Sequence, residues 1–274
     1  MPIFTSLVER PSISPDGKHV VFSQGSPAAL NLYTIPIEGG VPTQLTFRDS
    51  LNLGAVWSPE GRGIAFASNE GGVPQIWIVP AGGGPPQRIS TGEVSDNYSL
   101  SWSPGRLLYQ RSGNQNFYVV DFRTQREHLL LEDNRRGWVF NPVSSPGGGK
   151  IAAAWSPNRK AGLYILEPGK PERLVTPGGM PMLIGWAAGG DSLYALDGKS
   201  ASSRGNFTQT GETTTEAKIV RYPLDGSPPQ TLVELPFEEI GGISISPDGK
   251  TLVCAVYVSS SDVWVSEGFD RTLN

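Results

Sequence analysis

The sequence predicts an all-β fold: a six-bladed β-propeller of four-stranded antiparallel blades, with an N-terminal strand closing the last blade. Three observations carry this expectation. A turn motif built on Ser-Pro-Asp-Gly recurs six times along the 274 residues. The period, in the low forties, is the length of a four-stranded blade. Glycine (34) and proline (24) make up about a fifth of the chain, against roughly 12% on average. Seven Trp, eight Tyr and ten Phe argue that this excess marks turns rather than disorder, because disordered chains are poor in aromatics.

The copies of the motif fall within residues 11–18, 55–62, 100–106, 143–150, 184–191 and 243–250. Their proline positions are Pro15, Pro59, Pro104, Pro146, Ala188 (in the degenerate fifth copy) and Pro247, giving intervals of 44, 45, 42, 42 and 59. Proline presets φ, aspartate bonds its own backbone and glycine takes positive φ, so the motif specifies a tight turn. A strand follows each turn, such as His19-Val20-Val21-Phe22 or Gly63-Ile64-Ala65-Phe66-Ala67. A polar loop then leads to a third strand with two-residue alternation. Its six copies start at Asn31, Gln75, Asn116, Gly162, Lys218 and Asp262. Fourth strands follow a Gly/Pro turn at Thr43–Thr46, Gln87–Ser90, Glu127–Leu130, Glu172–Val175 and Gln230–Val233. The sixth repeat runs out after Val265, and Pro2–Leu7 precedes the first turn. That segment is expected to supply the missing fourth strand, which removes an exposed sheet edge. No stretch carries a helical period, so almost no helix is expected. Residues 1–274 are read as one domain with an insertion at 197–217, rich in Ser, Thr and Gly.

Composition excludes several functions. A net charge of −4 gives no global case for nucleic acid. One cysteine, Cys254, excludes an intrachain disulfide and a cysteine-based zinc site. No apolar run approaches the roughly 20 residues of a membrane span, and the first residues lack the pattern of a signal peptide.

The combination of Trp-Ser-Pro-Asp-Gly, a β-strand and then an aromatic strand resembles the TolB-type β-propeller repeat. Trp57–Gly61, Trp102–Gly105, Pro11–Lys18 and Ile245–Lys250 carry the resemblance. It implies a scaffold that binds a protein or peptide, and a periplasmic or extracytoplasmic setting. Similar propellers end bacterial kinases and winged-helix regulators as sensor or interaction modules; the segment Ser261–Asp270 is similar to the end of such regulator propellers. Oligogalacturonate lyases share the repeat and use a histidine-rich metal site. Prolyl oligopeptidases carry such a propeller beside a hydrolase domain, which has no counterpart here.

The two histidines, His19 and His128, fall in different blades and outside the expected channel loops, which disfavours a histidine metal site. No Gly-x-Ser-x-Gly elbow is present. Gly147–Lys150 lacks Walker spacing and occupies the repeat's turn. Asp16, Glu60 and Asp248 are explained by turn chemistry. The acids Asp49, Glu93, Asp96, Glu132, Asp133, Glu238 and Glu239 lie in inter-blade loops, where a carboxylate cation site in the central channel is the enzymatic alternative, of a lactonase-like or lyase-like kind. Trp57, Trp102 and Trp186 share one repeat position, and Trp77 and Trp264 another, so these are assigned to packing between sheets. Trp138 is different. It lies in the loop Glu132–Trp138 beside Arg135 and Arg136, where no repeat position requires it, and a Trp beside arginines suits a binding hot spot. With Arg111 and with Phe207 of the insertion, it forms the predicted partner-binding set. The expectation is therefore a monomeric, non-enzymatic module without a cofactor, binding a protein or peptide on the face of the inter-blade loops. The alternatives are the propeller enzyme just described and a carbohydrate-binding propeller.

Overall fold

A computed structural model describes residues 7–90, 92–94, 99–112, 116–131, 139–198, 217–235 and 240–256. Twenty-two strands account for nearly all regular structure among them. The first sheet holds β1 (Leu7–Ile13), β2 (His19–Ser26), β3 (Ala29–Pro36) and β4 (Thr43–Gln44). The second holds β5 (Asn52–Trp57), β6 (Gly63–Ser68), β7 (Gln75–Pro80) and β8 (Gln87–Arg88). The third holds β9 (Leu100–Ser103), β10 (Arg106–Gln110), β11 (Phe117–Asp121) and β12 (Arg126–Leu131). The fourth holds β13 (Val139–Ser144), β14 (Ile151–Trp155), β15 (Gly162–Leu166) and β16 (Arg173–Pro177). The fifth holds β17 (Met182–Trp186), β18 (Ser192–Asp197), β19 (Ala217–Pro223) and β20 (Gln230–Leu235), and β21 (Ile240–Ile245) pairs with β22 (Leu252–Val256) in a sheet of their own. Every pairing is antiparallel between consecutive strands. A single 3-10 turn, Pro157–Arg159, is the helical content of the described residues.

The expected six blades are corrected by this topology. Five blades have four strands, and the sixth repeat contributes a two-stranded sheet among the described residues. The candidate third strand of that repeat, from Asp262 to Val265, lies outside them. The expected closing role of Pro2–Leu7 is corrected in part. Leu7 begins β1 and pairs with Gly25 inside the first blade, and residues 1–6 lie outside the described residues. The first strand of each blade is the piece that turn-centred reading passed over, because the motif marks its end rather than its body. The fourth strands of the first two blades are also shorter than expected. Thr46 and Ser90 stand beyond β4 and β8, because their hydroxyls bond the third strand from outside the ladder.

The turns behave as their chemistry dictates. The N–H groups of Gly17, Gly61, Gly148, Gly190 and Gly249 each donate to the carbonyl three residues back. Gly17 and Gly249 sit at φ +74° and +73°, a left-handed region that β-carbons disfavour. Ser14 Oγ accepts from His19 N (2.9 Å) and donates to Asp16 (2.6 Å), and Ser246 repeats the arrangement with Thr251 and Asp248.

Packing lies between the sheets. Val21, Leu32, Ala55, Ile64 and Phe66 fill the gap between blades one and two. Leu107, Tyr109, Ala65 and Ile76 fill that between two and three, and Ile151, Ala153 and Trp155 meet Leu108 and Phe117 between three and four. Leu196 and Ile219 meet Ile243 and Leu252 across the fifth blade and the two-stranded sheet. Val20 and Phe22 meet Val253 across that sheet and the first blade. The first strands form a closed succession: β1 packs on β5, β5 on β9, β9 on β13, β13 on β17, β17 on β21 and β21 on β1. One face of this ring carries the second-to-third-strand loops and the connections between blades (the loop face). The opposite face carries the Ser-Pro-Asp-Gly turns and the third-to-fourth-strand turns (the turn face).

Candidate functional site on the loop face

Of the predicted partner-binding residues, Arg111 falls within the described residues; Trp138, Arg135, Arg136 and Phe207 lie outside them. Arg111 follows β10 at the junction of blades two and three, where it bridges to Val94 of the preceding connection. Its Nε donates to the Tyr109 hydroxyl at 3.1 Å, and its terminal nitrogen pairs with Glu127 of β12. The Tyr109 hydroxyl itself donates to Glu127. The guanidinium lies over the Tyr118 ring, 3.8 Å from the centroid, in a cation–π arrangement. Gly92 lies close by, where a β-carbon would come within 2.1 Å of Nε. A larger residue at 92 would have to displace the guanidinium from this position.

The electrostatics are those of a closed cluster. Burial, then the neighbouring Glu127 carboxylate, push the Tyr109 phenol well above its ordinary value. Burial opposes the charge on Arg111, but hydrogen bonds to Tyr109 and Glu127 outweigh it and hold the guanidinium protonated. Counting five residues on from the turn-closing Arg106 and Lys150 places Arg111 at the register of Trp155, which is 3% exposed. One blade thus packs a tryptophan where its neighbour packs a neutralised ion pair, with the arginine side chain 28% exposed. The sequence offered Arg111 as a partner-binding candidate; its partners on two other strands were not readable from spacing.

A second feature of this face escaped the sequence reading. Phe47, in the connection from blade one to blade two, is 75% exposed. Its loop is nonetheless pinned. Thr46 Oγ1 accepts from Leu32 N (2.9 Å) and donates to Asn31 (3.0 Å), and Asn31 also accepts from Arg48 N (3.2 Å). The buried Asn52 amide donates to Leu30 O (2.8 Å), Leu30 N donates to Ser50 O (3.0 Å), and Asn69 accepts from Leu51 N (2.8 Å). Arg48 then pairs with Glu70 of the adjacent second-to-third-strand loop at 2.9 Å. In the next blade Ser90 repeats the role of Thr46 by accepting from Ile76 N (2.9 Å). Phenylalanine stands where that blade has Thr91, the signal that sequence inspection could have used.

Blade four presents a basic loop. Asn158 and Arg159 hold φ of +50° and +65°, a region most non-glycine residues avoid, and the Tyr164 hydroxyl donates to Lys160 O at 2.9 Å. Arg159 and Lys160 are exposed there. The tryptophans assigned to packing are placed accordingly. Trp57, Trp77 and Trp186 are partly buried against the inter-sheet cores and Trp102 stacks on Phe122; Trp264 lies outside the described residues. Trp155, which no shared repeat position covers, is buried edge-on against Tyr164. His19 and His128 are exposed strand residues on different blades. Among the described residues no cluster of three or more His, Cys, Asp or Glu could hold a metal ion. No helix among them is long and apolar enough to cross a membrane.

The ring of antiparallel blades defines the chain as a β-propeller. Residues 3–132 match the family model of the TolB beta propeller domain. A protein described as a TolB from Agrobacterium tumefaciens has a similar structure, with a TM-score of 0.70 and 20% identity over 93% of this chain and 92% of that one. Oligogalacturonate lyase from Vibrio parahaemolyticus follows with a TM-score of 0.59 and 14% identity over 90% of this chain and 71% of the lyase. A chain of a nidogen/laminin complex gives a TM-score of 0.62 and 14% identity over 86% of this chain and 82% of its own. At these identities the likeness is one of fold. No curated protein matches the sequence.

Proposed function

We propose that the chain is a TolB-type propeller that acts as a non-enzymatic binding module and takes a protein or peptide partner on its loop face. The observation that carries this reading is the construction of that face. Phe47 stands exposed on a connection whose backbone is tied down by the buried side chains of Thr46 and Asn52 and by the half-buried Asn69. Rigid, solvent-facing aromatic anchors bind with little ordering cost. The cluster around Arg111 adds an immobilised guanidinium just after the second strand of blade three, beside Val94 of the next connection, and Trp138, Arg135 and Arg136 fall in sequence between that blade and the following one. The matched TolB repeat and a propeller found in a nidogen/laminin complex support a binding role. A sensor role of the kind carried by propellers on bacterial kinases or winged-helix regulators, and an extracytoplasmic location, belong to the same proposal.

The rival reading is an enzyme, motivated by the lyase among similar structures. The experiment places a photo-crosslinking residue at Arg48, Val73 or Lys160 on the loop face and at Val41 or Lys170 on the turn face. Specific protein adducts from the loop-face positions support the binding module. Turnover of oligogalacturonate with no adduct from any position would establish the enzyme instead.

A further inference from the structure

We infer that Phe47 is the anchor of the loop face, and that it inserts into an apolar pocket of a protein partner whose rim is basic. This rests on the proposed loop-face binding and names its contact. Single exposed apolar residues are common and need no function. Phe47 differs in what holds it. The hydrogen bonds from Leu32 N and Arg48 N to Thr46 and Asn31, with the Arg48–Glu70 pair, fix the chain on both sides of an exposed ring. Val73, half exposed, extends from the neighbouring loop beyond Glu70. A phenylalanine so placed is a knob that withdraws a large apolar area from water once a pocket closes over it.

The charge around the knob selects the rim. Arg48 is occupied by Glu70, and Tyr109 and Glu127 occupy Arg111. The exposed Asp49 and Glu93 are left as the unneutralised charges of the described loops between blades one and three. The exposed cations Arg159 and Lys160 lie on blade four. Among the described residues the charge is thus uneven, and the sector that carries Phe47 holds the two uncompensated carboxylates, so lysine or arginine on the partner would both steer and orient it.

The test immobilises the full chain and selects binders from a disulfide-cyclised peptide library, whose members can form a small pocket. The expected binders are cationic and carry apolar residues. Phe47→Ala should weaken them about 30-fold, as a hot-spot truncation does. Phe47→Trp should retain binding, Asp49→Lys should weaken it, and Val41→Ala on the turn face should leave it unchanged. A circular dichroism spectrum and melting curve matching the parent confirm that Phe47→Ala folds. Binders that ignore Phe47→Ala but are lost with Lys160→Glu would overturn the anchor and leave the loop-face reading standing. Binders insensitive to every loop-face change, or no binders at all, would overturn both. Concentration-dependent dimerisation of the parent that Phe47→Ala abolishes would identify a second copy as the occupant and overturn the heterologous partner.

Discussion

The indole N–H of Trp57 donates to the carbonyl of Ser12 at 3.0 Å, tying the end of one blade's first strand to the preceding blade. Trp186 does the same to Val143 at 2.9 Å. Where a backbone N–H takes the donor's place, a serine supplies the acceptor: Ser144 N bonds Ser101 Oγ at 2.9 Å, and Ile13 N bonds Ser244 Oγ at 3.1 Å. In all four cases the residue before the turn reaches the residue two before the turn of the previous repeat. The last bond spans the chain, joining the sixth repeat to the first.

Stability should register that stitching. Trp57→Phe keeps an aromatic ring and removes the donor, which costs about 1–2 kcal/mol from the lost hydrogen bond and packing. At about 2–4 °C per kcal/mol the melting temperature should fall by a few degrees. Trp102→Phe, where the ring stacks on Phe122, is the comparison that loses packing without such a bond. Equal losses at the two sites would count against the stitching.

The seam between the first and sixth repeats makes a second prediction. Ser244→Ala leaves Ile13 N without its acceptor, and an orphaned, part-buried N–H costs about 1–3 kcal/mol. Hydrogen exchange at Ile13 should accelerate more than at Ser144, which keeps Ser101. Unchanged exchange at Ile13 would show that the seam does not depend on this bond.

Two tyrosines should resist ionisation. Burial raises the phenols of Tyr109 and Tyr222, with Glu127 and Asp197 adding to the effect. Above about pH 10 an unfolded tyrosine releases its proton while these two retain theirs in the fold. The unfolded state then binds fewer protons, so stability falls as pH rises beyond that point. Alkaline difference spectra of Tyr109→Phe and Tyr222→Phe should match the parent until unfolding begins. Loss of amplitude near pH 10 in either variant would contradict the assignment.

At the acid end, the Ser14 and Ser246 hydroxyls and nearby backbone N–H groups hold the Asp16 and Asp248 carboxyls below their ordinary values. Their contribution is complete above the unfolded carboxylate pKa and is lost as pH falls below about 4. The double variant Asp16→Asn, Asp248→Asn should therefore show a shallower acid loss of stability than the parent, measured by denaturant unfolding between about pH 5 and pH 2. Parallel curves would reject the role given to these turns.

The repeat was legible because each turn concentrates several demands in four residues: Ser14, Pro15, Asp16 and Gly17 each have a separate backbone task. The shared position of Trp57 and Trp186 was legible as packing for the same reason. Their indole acceptors were not, since Ser12 and Val143 contribute only carbonyls, which carry no residue identity. Blade count was overstated because a turn and its two flanking strands are enough to produce a motif, as β21 and β22 do. Arg111 could be named as a candidate, yet Glu127 and Tyr118 meet it through strand register rather than spacing. Phe47 was passed over because its prominence depends on Asn31, Asn52 and Asn69 holding its loop, and polar residues near strand ends and in loops give no warning of such a role.

The most direct test of the account compares the two faces of the ring. Photo-crosslinking from Arg48, Val73 and Lys160 should give specific protein adducts that unlabelled chain competes away, and crosslinking from Val41 and Lys170 should not. Adducts confined to the turn face, or equal from both faces, would contradict partner binding at the loop face.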